Sequence, residues 1–478
     1  MNYKMVFSIL GKVFLLEALL LVFPMAVGFI YNENTLNAYL YPIIGLLVVG
    51  TPLSFLNSKD KNMYAKEGFV VVSLAWILMS VVGAIPFVLT GTLNFVDALF
   101  ETVSGFTTTG STVINDLDLV NKSILFWRAL THWIGGMGVL VFVLAFTSGY
   151  NSGGMHVLRA ESPGPTVGKL VSKLSFTARI LYGIYFVMTL VLAVLLLCGG
   201  MSVFESIVHA FATAGTGGFG VRGDSFASYS SFLQIVVAVF MLLFSINFNL
   251  FYLILIGNVK KALKSEEFKI FMTIIFVATL SIALNIMSQV GNFAEALKHS
   301  FFQVTSISST TGFVSADFQQ WPEFSKSIIL VLMLVGACAG STGGGMKVSR
   351  IVILFKSFLA DLKKMLHPKA VVSVKFENEP LEKETERNVH SYFVVYIIIV
   401  IVSTLILSLD VNDFLTNFSA SISCMSNVGP GFNLVGPMSN FALYSPLSKL
   451  LLSLIMIVGR LEIFPIILLF APRTWKKS

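Results

Sequence analysis

NFVDALFETVSGFTTTGST, Asn94–Thr112, is the stretch on which the fold turns. It begins with an apolar, helix-like run too short to cross a bilayer, passes into a Thr/Gly cluster and ends in a polar stretch. The same order recurs in SVFESIVHAFATAGTGGFG (Ser202–Gly220), NFAEALKHSFFQVTSISSTTGF (Asn292–Phe313) and NDFLTNFSASISCMSNVGPGF (Asn412–Phe432). A half-helix followed by bare backbone cannot face lipid, because its N–H and C=O groups would lack partners. It must be buried in protein or line a watery cavity. Four such segments in one chain imply a pseudo-fourfold arrangement about a central axis. Four amphipathic helices lying on the outer surface are the alternative, and they leave the recurrence of the glycine ends in register unexplained.

The flanking chain sets the medium. Of 478 residues, 55% are hydrophobic and only 12% charged, and the mean hydropathy is +0.84. That balance excludes an ordinary soluble domain. Ten apolar runs are long enough to cross a hydrocarbon core of about 30 Å: residues 5–31, 36–57, 68–91, 121–149, 176–199, 228–259, 267–290, 325–360, 389–409 and 445–470. The first is too long and continuous for a cleaved signal peptide and reads as a retained helix. The expected fold is an all-α integral membrane protein with about ten transmembrane helices. A helix pair (1–60) precedes four helix–loop–helix units at 61–150, 151–260, 261–388 and 389–478.

The net charge of +7 follows topology and gives no sign of nucleic acid. Lys59, Lys61 and Lys66 follow the second span. Arg159, Lys169, Lys173 and Arg179 follow the fourth, and Lys260, Lys261, Lys264 and Lys269 the sixth. Lys363, Lys364, Lys369, Lys375, Lys383 and Arg387 follow the eighth, and Arg473, Lys476 and Lys477 close the chain. The other connections carry Glu33, Asp116, Asp118, Asp224, Asp317, Asp410 and Asp413. By the positive-inside rule both termini are cytoplasmic.

Two motifs mislead. Gly215–Gly220 matches G-x-G-x-x-G, but follows a half-helix rather than a strand. GACAGSTGGGMKV (Gly336–Val348) resembles a phosphate-binding loop, but Met346 separates Gly345 from Lys347 and apolar helix flanks it. Cys198, Cys338 and Cys424 have neither disulfide nor metal spacing, and no His/Cys/Asp set forms a catalytic constellation. The chain reads as no enzyme and holds no cofactor of its own.

The four loop ends suggest a different chemistry. Glycine backbone lets carbonyl oxygens turn toward an axis and replace a cation's hydration shell. The candidate ligating residues are Thr108, Thr109 and Gly110; Thr216, Gly217 and Gly218; Thr310, Thr311 and Gly312; and Asn427, Val428 and Gly429. The half-helices should aim their partly negative C-terminal ends at the ion. No ring of acids stands at the glycines, which favours a monovalent cation over a carboxylate-lined divalent site.

Taken together, the Thr-Thr-Thr-Gly-Ser-Thr loop, GACAGSTGGGMKVSR, VGRLEIFP (Val458–Pro465), THWIGGMGVLVF (Thr131–Phe142) and RAESPGP (Arg159–Pro165) resemble the TrkH potassium-uptake subunits of the Trk/Ktr/HKT superfamily. The resemblance covers nearly the whole chain. It implies a prokaryotic inner-membrane protein, usually a homodimer, conducting potassium inward with TrkA-type cytoplasmic subunits that bind nucleotides. It implies one filter glycine per loop, with potassium preferred, rubidium accepted and sodium moderately rejected. The second loop offers both Gly217 and Gly218, and Gly218 is chosen because Gly-Phe also ends the third. A sodium- or proton-coupled symporter is the competing reading, though its usual sign is two interrupted helices in corresponding halves.

The resemblance also implies an intramembrane gating loop in the third unit. Ala339, Gly340, Ser341, Thr342, Gly343, Gly344 and Gly345 suit that role, because each glycine costs a helix ~1 kcal/mol relative to alanine. Arg460, inside the last apolar run, is the second gate candidate. A charge buried there needs a cavity or a partner, and Glu462, two residues on, points to a different helix face. Asn247 and Asn249 should hydrogen-bond between helices, and His132 and Trp133 should pack. Lys347 and Arg350 should mark the cytoplasmic exit of the interrupted helix.

Overall fold

The computed structural model describes residues 1–56, 65–138, 174–370 and 372–475. Lys59, Lys61, Arg159, Lys169, Lys173, Lys476 and Lys477, the Arg159–Pro165 stretch and residues 139–149 of the fourth expected span lie outside them.

Among the described residues six helices are long and apolar enough to cross a membrane: Tyr3–Ile30, Leu36–Ser54, Lys66–Leu89, Ala178–Cys198, Glu266–Val290 and Lys383–Leu407. The first two form a hairpin packed against the helices Ala65–Gly83 and Lys122–Met137. The outer surface is apolar, with Val48 67%, Phe276 68% and Leu405 65% exposed. That suits contact with lipid rather than water. Toward the axis the pattern inverts: Thr107 to Thr109, Ser306, Ser308 to Thr311 and Ser421, Ser423, Ser426 and Asn427 are all buried. The chain is an all-α membrane protein, the class that the sequence implied.

The four half-helices are Phe95–Phe106, Val203–Ala214, Phe293–Ser308 and Phe414–Ser426. Each starts at a side chain that accepts from the first turn: Asn94 from Asp97 N–H, Ser202 from Glu205, Asn292 from Ala294 and Asp413 from Thr416. At Ser202 the carboxylate of Glu205 reaches back to complete a capping box.

The helices after the loops depart from expectation. Residues 228–259 and 445–470 are not continuous spans. Ser231–Phe244 and Phe248–Leu255 meet at 92°, and Pro446–Arg460 and Phe464–Phe470 at 120°. At the first break the Asn247 side chain accepts from Asn249 N–H at 3.0 Å and starts a new helix. At the second, Glu462 (φ 59°) and Ile463 (φ 67°) are left-handed, and Pro465 follows without an N–H. The third unit's helix stops at Val335 and restarts at Val348, and the first unit's stops at Met137, where Gly138 turns out with φ 81°. The second, third and fourth units therefore interrupt their second helix, where the sequence pointed to a loop only in the third.

Between the third and fourth units, Lys375–Phe376 pairs antiparallel with Glu379–Pro380. Glu377 and Asn378 at its turn have φ 52° and 65°, as a two-residue hairpin requires. The Glu377 carboxylate then accepts from Ser265 Oγ (2.7 Å), Glu266 N–H (3.0 Å) and Glu267 N–H (3.2 Å), which caps the helix Glu266–Val290.

Candidate functional site

All four half-helices end in the same way. The amides of Thr109, Gly217, Thr311 and Val428 donate to the carbonyls of Ser104, Ala212, Ser306 and Ser423, each at 2.9 Å. This six-residue closure needs a left-handed residue just before it, a place glycine usually takes. Here Thr108, Thr216, Thr310 and Asn427 hold it, with φ between 54° and 60°. For a β-branched residue that is strained. Two residues on, Gly110, Gly218, Gly312 and Gly429 turn left-handed again, with φ 82°, 80°, 82° and 106°.

The four ends close on one another. Gly110 lies against the carbonyl oxygen of Gly217, Gly218 against that of Thr311, Gly312 against that of Val428, and Gly429 against that of Thr109. A Cβ at any of the four would collide with its oxygen. The second loop's two glycines thereby separate. Gly218 occupies the left-handed position shared with the other loops, whereas a Cβ on Gly217 would overlap the His132 ring. That ring stacks on Phe219 at 4.1 Å, and Trp133 stacks on Tyr185 at 5.5 Å.

Each segment carries three peptide carbonyls from the left-handed residue to the glycine. Of these, among the described residues, only Gly429's accepts a hydrogen bond. Orphaned buried carbonyls cost about 1–3 kcal/mol each, so such a set is informative. Outside them is a cavity of about 140 Å³ whose lining includes all four glycines. Its wall is braced by a pair that sequence reading missed. Buried Glu101 accepts from Arg128 Nε (2.8 Å) and Val113 N–H (3.0 Å). Their spacing of 27 along the chain gave no local signal. Asp97 and Lys449, 2.6 Å apart, tie the first half-helix to the last span.

On the other side lies Gly336–Lys347. Its glycines at 336, 340 and 345 are left-handed, with φ 72°, 68° and 79°. Gly343 packs against the Ser309 carbonyl and Gly344 against that of Ser426, directly beneath two half-helix ends. Gly344 N–H donates to Thr310 Oγ1 at 2.7 Å, which joins the loop to the ring. The Glu267 carboxylate accepts from Ala339 N–H (2.8 Å) and Ser349 N–H (3.1 Å), so it holds both ends of the loop. Buried Lys347 donates to Gly343 O at 2.6 Å and Cys338 O at 3.3 Å. Arg460 reaches Thr342 O (2.8 Å), Gly135 O (2.5 Å) and Gly136 O (2.8 Å), and so bridges the loop to the last turn of the helix Lys122–Met137.

Lys347 and Arg350, read from the sequence as marking the cytoplasmic exit of the interrupted helix, are both buried. Lys347 folds back under its own loop, and Arg350 forms an ion pair with Glu462. Asn247 also differs, capping its own broken helix rather than bridging helices, although Gly340 lies against its side chain.

Comparison with known proteins agrees with this architecture. Residues 37–477 match the family model TrkH, described as a cation transport protein. The chain is 34% identical over 486 residues to the Trk system potassium uptake protein TrkH of Escherichia coli (strain K12), with all of both chains covered. It is 31% identical to the Trk system potassium uptake protein TrkG of the same strain, covering 99% of each. The crystal structure of the potassium transporter TrkH from Vibrio parahaemolyticus superposes over the whole of both chains with a TM-score of 0.90 at 31% identity.

Proposed function

The chain belongs to the TrkH family of cation transport proteins, and from that premise we propose that it takes up potassium through a channel-like pore. The observation that carries the proposal is the closed ring of glycines and carbonyl oxygens, in which every oxygen from the left-handed residues to the glycines, apart from that of Gly429, lacks a hydrogen-bond donor among the described residues. A partly dehydrated alkali cation is the partner that such oxygens suit. Thr108, Thr109, Gly110, Thr216, Gly217, Gly218, Thr310, Thr311, Gly312, Asn427, Val428 and Gly429 form the filter, with Gly218 the second loop's filter glycine. Left-handed glycines and a helix C-terminus in each quadrant support it.

Ala339 to Gly345 form the gate, held shut by Arg460, Lys347 and Glu267. The loop's contact with the half-helix ends and its ties to three charged side chains support this reading. A cation leaving the filter meets a plug with a guanidinium at its edge, which raises the barrier. Inward movement gains ~2.3 kcal/mol per 100 mV of inside-negative potential, so no chemical step is needed. The protein sits in the cytoplasmic membrane with both termini inside. It works as a homodimer with TrkA-type nucleotide-binding subunits, which displace the loop.

Rubidium tracer uptake into liposomes tests this, with sodium and proton gradients varied independently of the membrane potential. Uptake should follow the potential alone, and replacing Gly110 or Gly312 with serine should weaken discrimination against sodium. Obligatory coupling to a sodium or proton gradient overturns the channel in favour of a symporter.

A further inference from the structure

The ring is not equal on its four sides. Gly429 accepts from Ser423 Oγ at 2.8 Å and from Ser111 Oγ at 3.0 Å. A peptide oxygen has two lone pairs, and both are engaged. The carbonyls of Gly110, Gly218 and Gly312 accept nothing from the described residues. Two further differences coincide: Gly429 has φ 106° against 80–82° for the others, and it is buried where they are half-buried.

The position six residues before each glycine explains how this arises. It holds Ser104, Ala212, Ser306 and Ser423. Ser104 Oγ has no partner, and alanine has no hydroxyl. Ser306 reaches past its glycine to Phe313 O at 2.6 Å. Ser423 alone turns onto the glycine carbonyl, and Ser111 meets the same oxygen from the first unit.

Resting on the filter reading above, we propose that the outermost, glycine-level cation site has three ligating sides. Ser423 and Ser111 are positioning residues that withdraw the fourth carbonyl and so weaken cation binding there. An ion entering from the outer cavity is then held loosely at this level and passes on to the complete ring formed by Thr109, Gly217, Thr311 and Val428. Weak first binding keeps throughput high, since conduction needs sites that an ion can leave.

The test is concentration-dependent rubidium uptake by the full chain in liposomes, comparing Ser423→Ala, Ser111→Ala and the double variant with Ser423→Thr. Freeing the oxygen should lower the half-saturating rubidium concentration by about threefold to tenfold in the double variant, the scale of one net hydrogen bond. Maximal uptake should fall with it, and threonine, which keeps the hydroxyl, should restore both. A half-saturation constant that stays put or rises overturns the proposal, whatever the maximal rate does. If Ser423→Ala does not fold, Ser111→Ala decides by the same criterion. Gly110→Ser, run in parallel, separates the two readings. If it alters sodium discrimination while the serine variants leave half-saturation unmoved, only the three-sided site fails. If it too changes nothing, the filter itself fails.

Discussion

The glycine ring and the loop beneath it lie in contact, yet they are held by opposite means. Backbone holds the ring: four helix ends close with the same bond at the same length, and each glycine abuts its neighbour's carbonyl. Side chains from distant parts of the sequence hold the loop. Glu267, Thr310 and Arg460 converge on the segment that interrupts the third unit's second helix. A backbone ring has few ways to change shape. A loop pinned by a few side chains can be released by removing one, which suits a fixed selective element above a movable one.

The largest effect should therefore come from the pins. Arg460→Ala removes charge-assisted bonds to three carbonyls, and losing about 2 kcal/mol of holding energy is roughly a thirtyfold shift toward the open loop. Rubidium flux without regulatory subunits should rise accordingly, as should flux after deletion of Gly343 to Gly345. Unchanged flux in both well-folded variants would remove the loop from the gating role. Next comes the ring. Gly312→Ala puts a Cβ against Val428 O at a left-handed position, so potassium-over-sodium discrimination should drop by about tenfold, the weight of 1–2 kcal/mol. Retained discrimination there would mean that the ring is softer than its geometry implies.

Much of this contrast was legible in the chain, and the illegible part has a physical reason. The ring is local: a helix cap, an apolar run and an ending in glycine, Thr-Thr-Gly in two of the segments, repeat four times within short windows, so the fold and the glycine positions follow from reading along the sequence. The pins are not local. Glu267 and Ala339 are distant in sequence, and Lys347 looked like an exit marker because only the third dimension folds its amine back under Gly343. The breaks at Ser245–Asn247 and Leu461–Ile463 were masked because the apolar runs resume at once on the far side of the few polar residues that mark them. A polar cap and two left-handed residues cost little hydrophobicity.

Two smaller effects sharpen the comparison. Glu267→Gln keeps an oxygen acceptor but loses the charge, which roughly halves such a bond. Leak should rise only about threefold, and a rise as large as that of Arg460→Ala would make Glu267 the dominant pin. The smallest effect lies at the outer surface, where Asp413 caps the fourth half-helix. Hydrogen bonds from the Thr416 hydroxyl, then the Asn433 amide, hold its carboxyl below the usual carboxylate range. A depressed carboxyl stabilises the fold above its ordinary pKa, and that contribution fades as pH falls through the folded value. Asp413→Ala should cost about 1 kcal/mol at neutral pH, read as a lower melting temperature. The gap to the parent protein should hold down to about pH 4 and narrow below it. A gap that closes between pH 8 and 6 would point to a different group.

One polypeptide supplies every quadrant of the pore wall, and that has a consequence for how such a wall can be adjusted. Four identical subunits would install any replacement everywhere at once. In tandem repeats, a serine exchanged at one corner leaves its three cousins untouched, so grip on the passing ion is tunable in quarter steps.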